Sequence, residues 1–296
     1  MKKNLYYLSL LLGLVFGMTM FTACGGGDDD DNSGASGSTS GGGEEGFTSG
    51  KFMGPKRVFG DNLLSSYGGS SSGRELTYNS DDFVTSIKSY RIDANGQKTY
   101  SGYEYVVSYS DNQVIVTYNR PNARQETYTF TIGNNGFAES WKTDAYAGVG
   151  TTSLVKCEYD SDGHLTKLTV YEDGIDNPET WIGTLTWQDG NLTKANHQGN
   201  TYNVSYNSIS NVTGLYHQAN LGGDMGDFYE EEFHYMGLLG KATANLVNSY
   251  SRSSDSRTGE NAWTLDAAGR PTKCVTTTTE SGSSSPRIGT YFWTYR

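Results

Sequence analysis

The chain has 296 residues and a mass of 32.3 kDa, and its 22 Lys and Arg against 33 Asp and Glu give a formal net charge of -11. An acidic chain of this kind does not neutralise a phosphate backbone, which argues against nucleic acid as a partner. Gly (38) and Tyr (22) are abundant, yet there are only five prolines, no Gly-X-Y period and 13% aromatics, so neither collagen nor whole-chain disorder fits.

Residues 1–23 read as an export signal. Lys2 and Lys3 precede an apolar run from Leu5 to Ala23, which ends in Phe21-Thr22-Ala23-Cys24. A run of this length also spans a bilayer as an uncleaved anchor, but the small residue before the cysteine and the triglycine after it favour cleavage. The stretch resembles a bacterial lipoprotein signal, which implies that Cys24 becomes a lipidated N-terminus joining the mature chain to a membrane. Residues 24–50 hold Gly, Ser, Asp and Glu with almost no apolar side chain, the composition of a flexible tether. Asp28 to Asp31, close behind the cysteine, resemble the acidic export signal of Bacteroidetes surface lipoproteins. That implies an outer-membrane address facing the cell surface, with a periplasm-facing orientation as the alternative.

Residues 51–296 read as a single β domain that repeats itself. An aromatic residue ends a strand, a short Asp/Asn/Gly turn follows, and an apolar residue with Thr-Lys opens the next strand. The clearest copies are Tyr159-Asp160-Ser161-Asp162-Gly163-His164-Leu165-Thr166-Lys167, Trp187-Gln188-Asp189-Gly190-Asn191-Leu192-Thr193-Lys194 and Leu265-Asp266-Ala267-Ala268-Gly269-Arg270-Pro271-Thr272-Lys273. Gly136, Gly163 and Gly190 fall at equal intervals that fit two strands and two turns per unit. Asp-Gly and Asn-Gly supply the positive φ of tight hairpins, and flanks such as Tyr103-Glu104-Tyr105-Val106-Val107 alternate with period 2. The expected fold is all-β: a strongly curled antiparallel meander or barrel of repeated hairpins. One short helix is expected at 227–239, with acids in its first turn and Gly240 as its stop. Glu230, Glu231 and Glu232 read there as a solvated first turn, with an acidic ligand site as the sharper alternative.

The hairpin unit resembles the YD-type repeats of secreted bacterial shells. Together with the lipobox, the tether, Met236-Gly237-Leu238-Leu239-Gly240-Lys241-Ala242-Thr243-Ala244-Asn245-Leu246 and the closing Asp266 unit, the chain resembles Bacteroidetes lipoproteins carrying a domain of unknown function with a porin-like fold. The resemblance implies a β-rich envelope protein and no assigned activity. A membrane-spanning barrel shows apolar residues at every outward position; stretches such as Lys156-Cys157-Glu158-Tyr159-Asp160 do not, so the expectation is a water-soluble barrel held by lipid alone.

The catalytic inventory is thin. His164, His197, His217 and His234 lack metal-ligand spacing, and no nucleophile elbow or phosphate loop occurs; His164, in a repeat turn, is expected to face solvent. Cys157 and Cys274 form one disulfide in an oxidising compartment or sit as two buried thiols. Asp173, Asp176 and Glu179 offer oxygens of the kind calcium uses, the one cofactor considered. The aromatic surplus exceeds what one core needs, which marks Trp141, Trp181 and Trp187 as candidates for stacking on a glycan or peptide. Three functions follow: a structural or host/partner-interaction envelope protein, a surface binding lipoprotein for glycan or peptide nutrients, and a hydrolase.

Overall fold

A computed structural model describes residues 52–110, 112–123, 125–144, 153–172, 181–197, 199–215 and 231–296. Turn chemistry sets the architecture. Five connections share one five-residue turn, at 79–83, 93–97, 133–137, 160–164 and 266–270; in each the first N–H donates to the fifth carbonyl at 2.8–3.0 Å. The fourth residue has positive φ every time: Asp82, Gly96, Gly136, Gly163 and Gly269. In four of the turns the opening Asn79, Asp93, Asp160 or Asp266 uses one side-chain oxygen to accept two backbone N–H groups further on. Asp189-Gly190 is the tighter form, with positive φ at both residues.

These turns join sixteen strands: β1 (Leu64–Gly69), β2 (Ser72–Tyr78), β3 (Val84–Ile92), β4 (Lys98–Ser110), β5 (Gln113–Asn119), β6 (Glu126–Ile132), β7 (Ala138–Thr143), β8 (Ser153–Tyr159), β9 (Leu165–Glu172), β10 (Trp181–Gln188), β11 (Asn191–His197), β12 (Asn200–Ser210), β13 (Asn245–Arg252), β14 (Arg257–Leu265), β15 (Pro271–Thr279) and β16 (Arg287–Tyr295). Each pairs antiparallel with the next, and β16 returns to β1, Tyr67 opposite Trp293, so the meander closes into a barrel. Closure removes every sheet edge.

Aromatic side chains fasten the turn end. Near the ends of seven even-numbered strands, Tyr78, Tyr109, Tyr159, Trp187, Tyr206, Trp263 and Tyr295 donate from a hydroxyl or indole N–H to a main-chain carbonyl at the start of the preceding strand, at 2.6–2.8 Å. Each ring packs against the core while its polar tip finds a buried partner. This structural use absorbs much of the aromatic surplus that the sequence suggested for ligand stacking.

Two segments close the same end. Residues 52–63 carry the short helix α1 (Lys56–Phe59), which the sequence pattern missed. The second contains α2 (Glu231–Tyr235), which ends before the expected limit at 239. Residues 227–230 lie outside the described residues. At its C-terminus α2 stops at Gly237 rather than Gly240: Leu238 N–H reaches Phe233 O, Gly237 N–H reaches His234 O, and Gly237 has φ +81. That paired bonding is a helix-ending motif needing a left-handed residue, and glycine supplies it without strain. Phe233 then inserts among Tyr128, Phe130 and Trp141, at ring-centroid separations of 4.9–6.0 Å. Phe59 packs on His234 and Tyr235, and Tyr67 on Tyr235. One apolar cluster therefore runs from the strand walls through both closing segments, and the barrel interior at this end is filled.

Candidate functional site

In a closed barrel the interior is where a solute would travel or bind, and here it holds a buried ionic cluster. Arg74 shares period-2 parity with Leu76 on β2, so both turn inward. Its Nε donates to Glu232 Oε1 of α2 at 2.8 Å. Burial opposes the Arg74 charge, but Glu232 outweighs it and raises the guanidinium pKa further. The neighbouring Glu231 accepts a hydrogen bond from the Tyr235 hydroxyl at 2.8 Å. Burial, reinforced by the Glu232 charge, pushes Glu231 up to about 8, so it carries a proton at neutral pH. The Tyr67 hydroxyl is buried in the same electrostatic neighbourhood without a hydrogen-bond partner. His234, on the other side of α2, is 2% exposed, and burial lowers it to about 4, leaving a neutral ring. Of the acids read from sequence as a solvated helical turn, Glu230 lies outside the described residues, while Glu231 and Glu232 are held inside the barrel, because the turn they occupy is the segment that fills it. Inward parity of Arg74 with Leu76 was the available signal for their partner; nothing local to α2 gave it.

The residues singled out from sequence do not converge. Trp141 is 3% exposed, between Phe130 and Phe233, and has no face open to a ligand. Trp187 stacks on His164 at 4.3 Å and donates to Leu165 O. For Trp181 only the backbone is described, opposite Val170 on β9. Asp173, Asp176, Glu179 and Cys24 lie outside the described residues. Cys157 on β8 and Cys274 on β15 are free thiols on strands far apart around the barrel, not a disulfide. Burial pushes the Cys157 thiol up and raises Cys274 to about 11, which suits inert side chains.

His164 also departs from expectation, being 7% exposed rather than solvent-facing. Its Nδ1 lies 3.0 Å from Asp160 Oδ2, and with Asp162 the three groups are near enough to share an ion. The equivalent turn at Asp266 argues for a different role. There Arg270 stands where His164 does and donates to Asp266 Oδ2 at 2.8 Å, so the fifth residue fastens the turn. Burial works against the Asp160 charge, but the backbone and ring N–H of His164 outweigh it and hold the carboxyl below its ordinary value.

Comparison with known proteins agrees with this geometry. Residues 76–273 match the family described as a domain of unknown function (DUF4595) with porin-like fold. A crystal structure of a porin-like protein from Bacteroides uniformis is 17% identical, with a TM-score of 0.63 over 79% of this chain and 96% of that one. A porin-like protein from Bacteroides vulgatus is 15% identical and aligns over 80% of this chain and 99% of its own, with a TM-score of 0.45. Among curated proteins none matches. At such identity the first structure establishes the fold alone, while the family match spans well over half of the sequence. The chain belongs to the DUF4595 family of domains of unknown function with porin-like fold.

Proposed function

We propose that the protein is a non-conducting, water-exposed barrel held at the bacterial cell envelope by lipid on Cys24, where it serves as a structural or partner-interaction module. The observation that carries this reading is the barrel's outer surface. Rows running around it are hydroxylic and charged: Thr186, Lys194, Asn203, Ser251, Thr258 and Thr279 lie side by side on consecutive strands. Glu75, Lys88, Glu104 and Asn119 form another such row. A lipid-facing wall needs an apolar band with aromatic girdles, and charge at its midplane costs about 2–4 kcal/mol per Lys or Arg. Exposed apolar residues such as Val106, Ile115, Ile182 and Ile288 are interspersed with this polar surface. The packed plug around Phe233 supports the absence of a conducting path.

Membrane extraction and bilayer recording test the reading together. Wild-type protein should need detergent for release, whereas Cys24→Ser should appear in the soluble fraction with an unchanged fold. Neither should give conductance steps in a planar bilayer. Stepwise conductance, or a Cys24→Ser chain that still requires detergent, would replace this reading with an embedded barrel. Protease treatment of intact cells reports the leaflet: the acidic run Asp28 to Asp31 leads us to expect cleavage from outside.

A further inference from the structure

Tyr67 stands directly opposite Arg74 where β1 pairs with β2, and its ring lies 4.5 Å from that of Tyr235 on α2. The wall and the plug meet here through polar groups. Arg74 Nε donates to Glu232 Oε1, and the Tyr235 hydroxyl donates to Glu231 Oε1, each at 2.8 Å. The charges of Glu232, Glu231 and Arg74 all act on the Tyr67 hydroxyl, which places it among them.

Two features of this cluster call for a further group. Tyr67 is 6% exposed, and its hydroxyl oxygen is buried without a hydrogen-bond partner. A desolvated hydroxyl in that state is disfavoured, and a bound water or ion is its common remedy. The second feature is charge. Among the described residues one guanidinium faces two carboxyl groups, and each carboxyl has one oxygen engaged, Glu232 by Arg74 and Glu231 by Tyr235. A proton on Glu231 answers the charge but leaves the Tyr67 hydroxyl unmet, and a water answers the hydroxyl but not the charge. A single hard cation answers both, since oxygen ligands of this kind are the ones it prefers.

We infer that this cluster is a monovalent-cation site between the barrel wall and its plug. A sodium- or potassium-sized ion is held by the Tyr67 hydroxyl oxygen together with Glu231 Oε2 and Glu232 Oε2. One unit of positive charge is what the two carboxylates need once Arg74 is counted, which favours a monovalent over a divalent ion. Its ligands come from β1 and from α2, so the ion clasps two segments remote in sequence. Binding is therefore read directly in the stability of the fold. The site does not depend on how the protein is anchored.

Thermal melting of the purified full-length chain tests it, in sodium, potassium or choline chloride at equal ionic strength. The pH is held at 8.5, where protons compete least for carboxylate oxygens. Choline carries the same charge but is too large for such a site. Sodium or potassium should raise the melting temperature above that in choline by about 5 °C, once the ion stands at about 100 times its dissociation constant. Tyr67→Phe removes only the hydroxyl that lacks a partner. It should melt in choline no lower than the wild type, and its affinity for the ion should fall at least tenfold. Glu231→Gln removes the charge that the ion balances and should abolish the response; if it fails to fold, Tyr67→Phe decides alone. Equal melting in all three salts would leave the hydroxyl to a water and overturn the assignment. A response retained in Tyr67→Phe, or a larger one to calcium or magnesium at the same ionic strength, would overturn it as well.

Discussion

Arg74 and Glu232 lie 158 residues apart in sequence and meet at 2.8 Å inside the barrel, joining the wall to the plug. With Glu231 beside them the cluster holds one cation and two carboxyl groups, and the proton on Glu231 keeps that arrangement from carrying excess negative charge. Removing the cation should be costly. We expect Arg74→Met to destabilise the fold by about 3–5 kcal/mol in chemical denaturation, because it strands a buried carboxylate. Adding Glu232→Leu should recover more than half of that loss, as replacement of a whole buried pair is far less harmful than breaking one. An additive double variant would show that the two side chains do not interact.

Glu231 and His234 place stability in a defined pH window. The folded Glu231 pKa of about 8 lies above its ordinary 4.5, so its contribution is complete below pH 4.5 and is lost as pH rises toward 8. The folded His234 pKa of about 4 lies below 6.5, so its contribution is complete above pH 6.5 and is lost as pH falls toward 4. Between pH 4.5 and 6.5 the two slopes oppose one another and stability should be nearly level. From pH 6.5 to 8 only the Glu231 slope remains, a fall of about 2 kcal/mol. Glu231→Gln should flatten that limb selectively, which melting curves across the range would detect.

Gly237 ends α2 with φ +81, and a Cβ there would sit 2.7 Å from main-chain atoms of Gly54. Both the left-handed backbone and the contact disfavour any side chain. Gly237→Ala should therefore cost more than the roughly 1–2 kcal/mol of left-handed strain alone. Gly269 has a similar φ of +79 with open space around it, so Gly269→Ala should cost only the strain. Comparing the two by urea midpoint separates strain from crowding.

The partly buried Cys157 and the buried Cys274 should both behave as free thiols of raised pKa. A reductant is expected to leave the melting temperature unchanged, and a thiol reagent should react with both only after denaturation. A melting temperature that falls with reductant would restore the disulfide reading.

Much of the barrel was legible in the sequence because hairpin chemistry is local. The Asp160-Ser161-Asp162-Gly163 turn announces its own positive φ, and alternation around Tyr105 announces a strand with one buried face. The interior was less legible. Whether Glu231 and Glu232 meet water or Arg74 depends on a contact between distant segments, and an acidic first helical turn looks the same in either setting. Trp141 failed as a candidate for a related reason: its ring is covered by Phe233, which arrives from a different part of the chain.

The pairing of β1 with β16 has a consequence for how the molecule is made. Ser66 and Thr294 join their hydroxyls at 2.7 Å across the closing seam, although 228 positions separate them along the chain. Hairpins between successive strands form from neighbouring residues, whereas this seam must wait until nearly the whole polypeptide has emerged. Until then a curled sheet of fifteen strands presents two bare ladders, on β1 and β15, each a template for a second copy. A chain cut before Arg287 would keep those templates permanently. Assembly of this barrel is therefore a race between its last nine-residue strand and self-association, and the final strand acts as the protein's own guard against polymerisation.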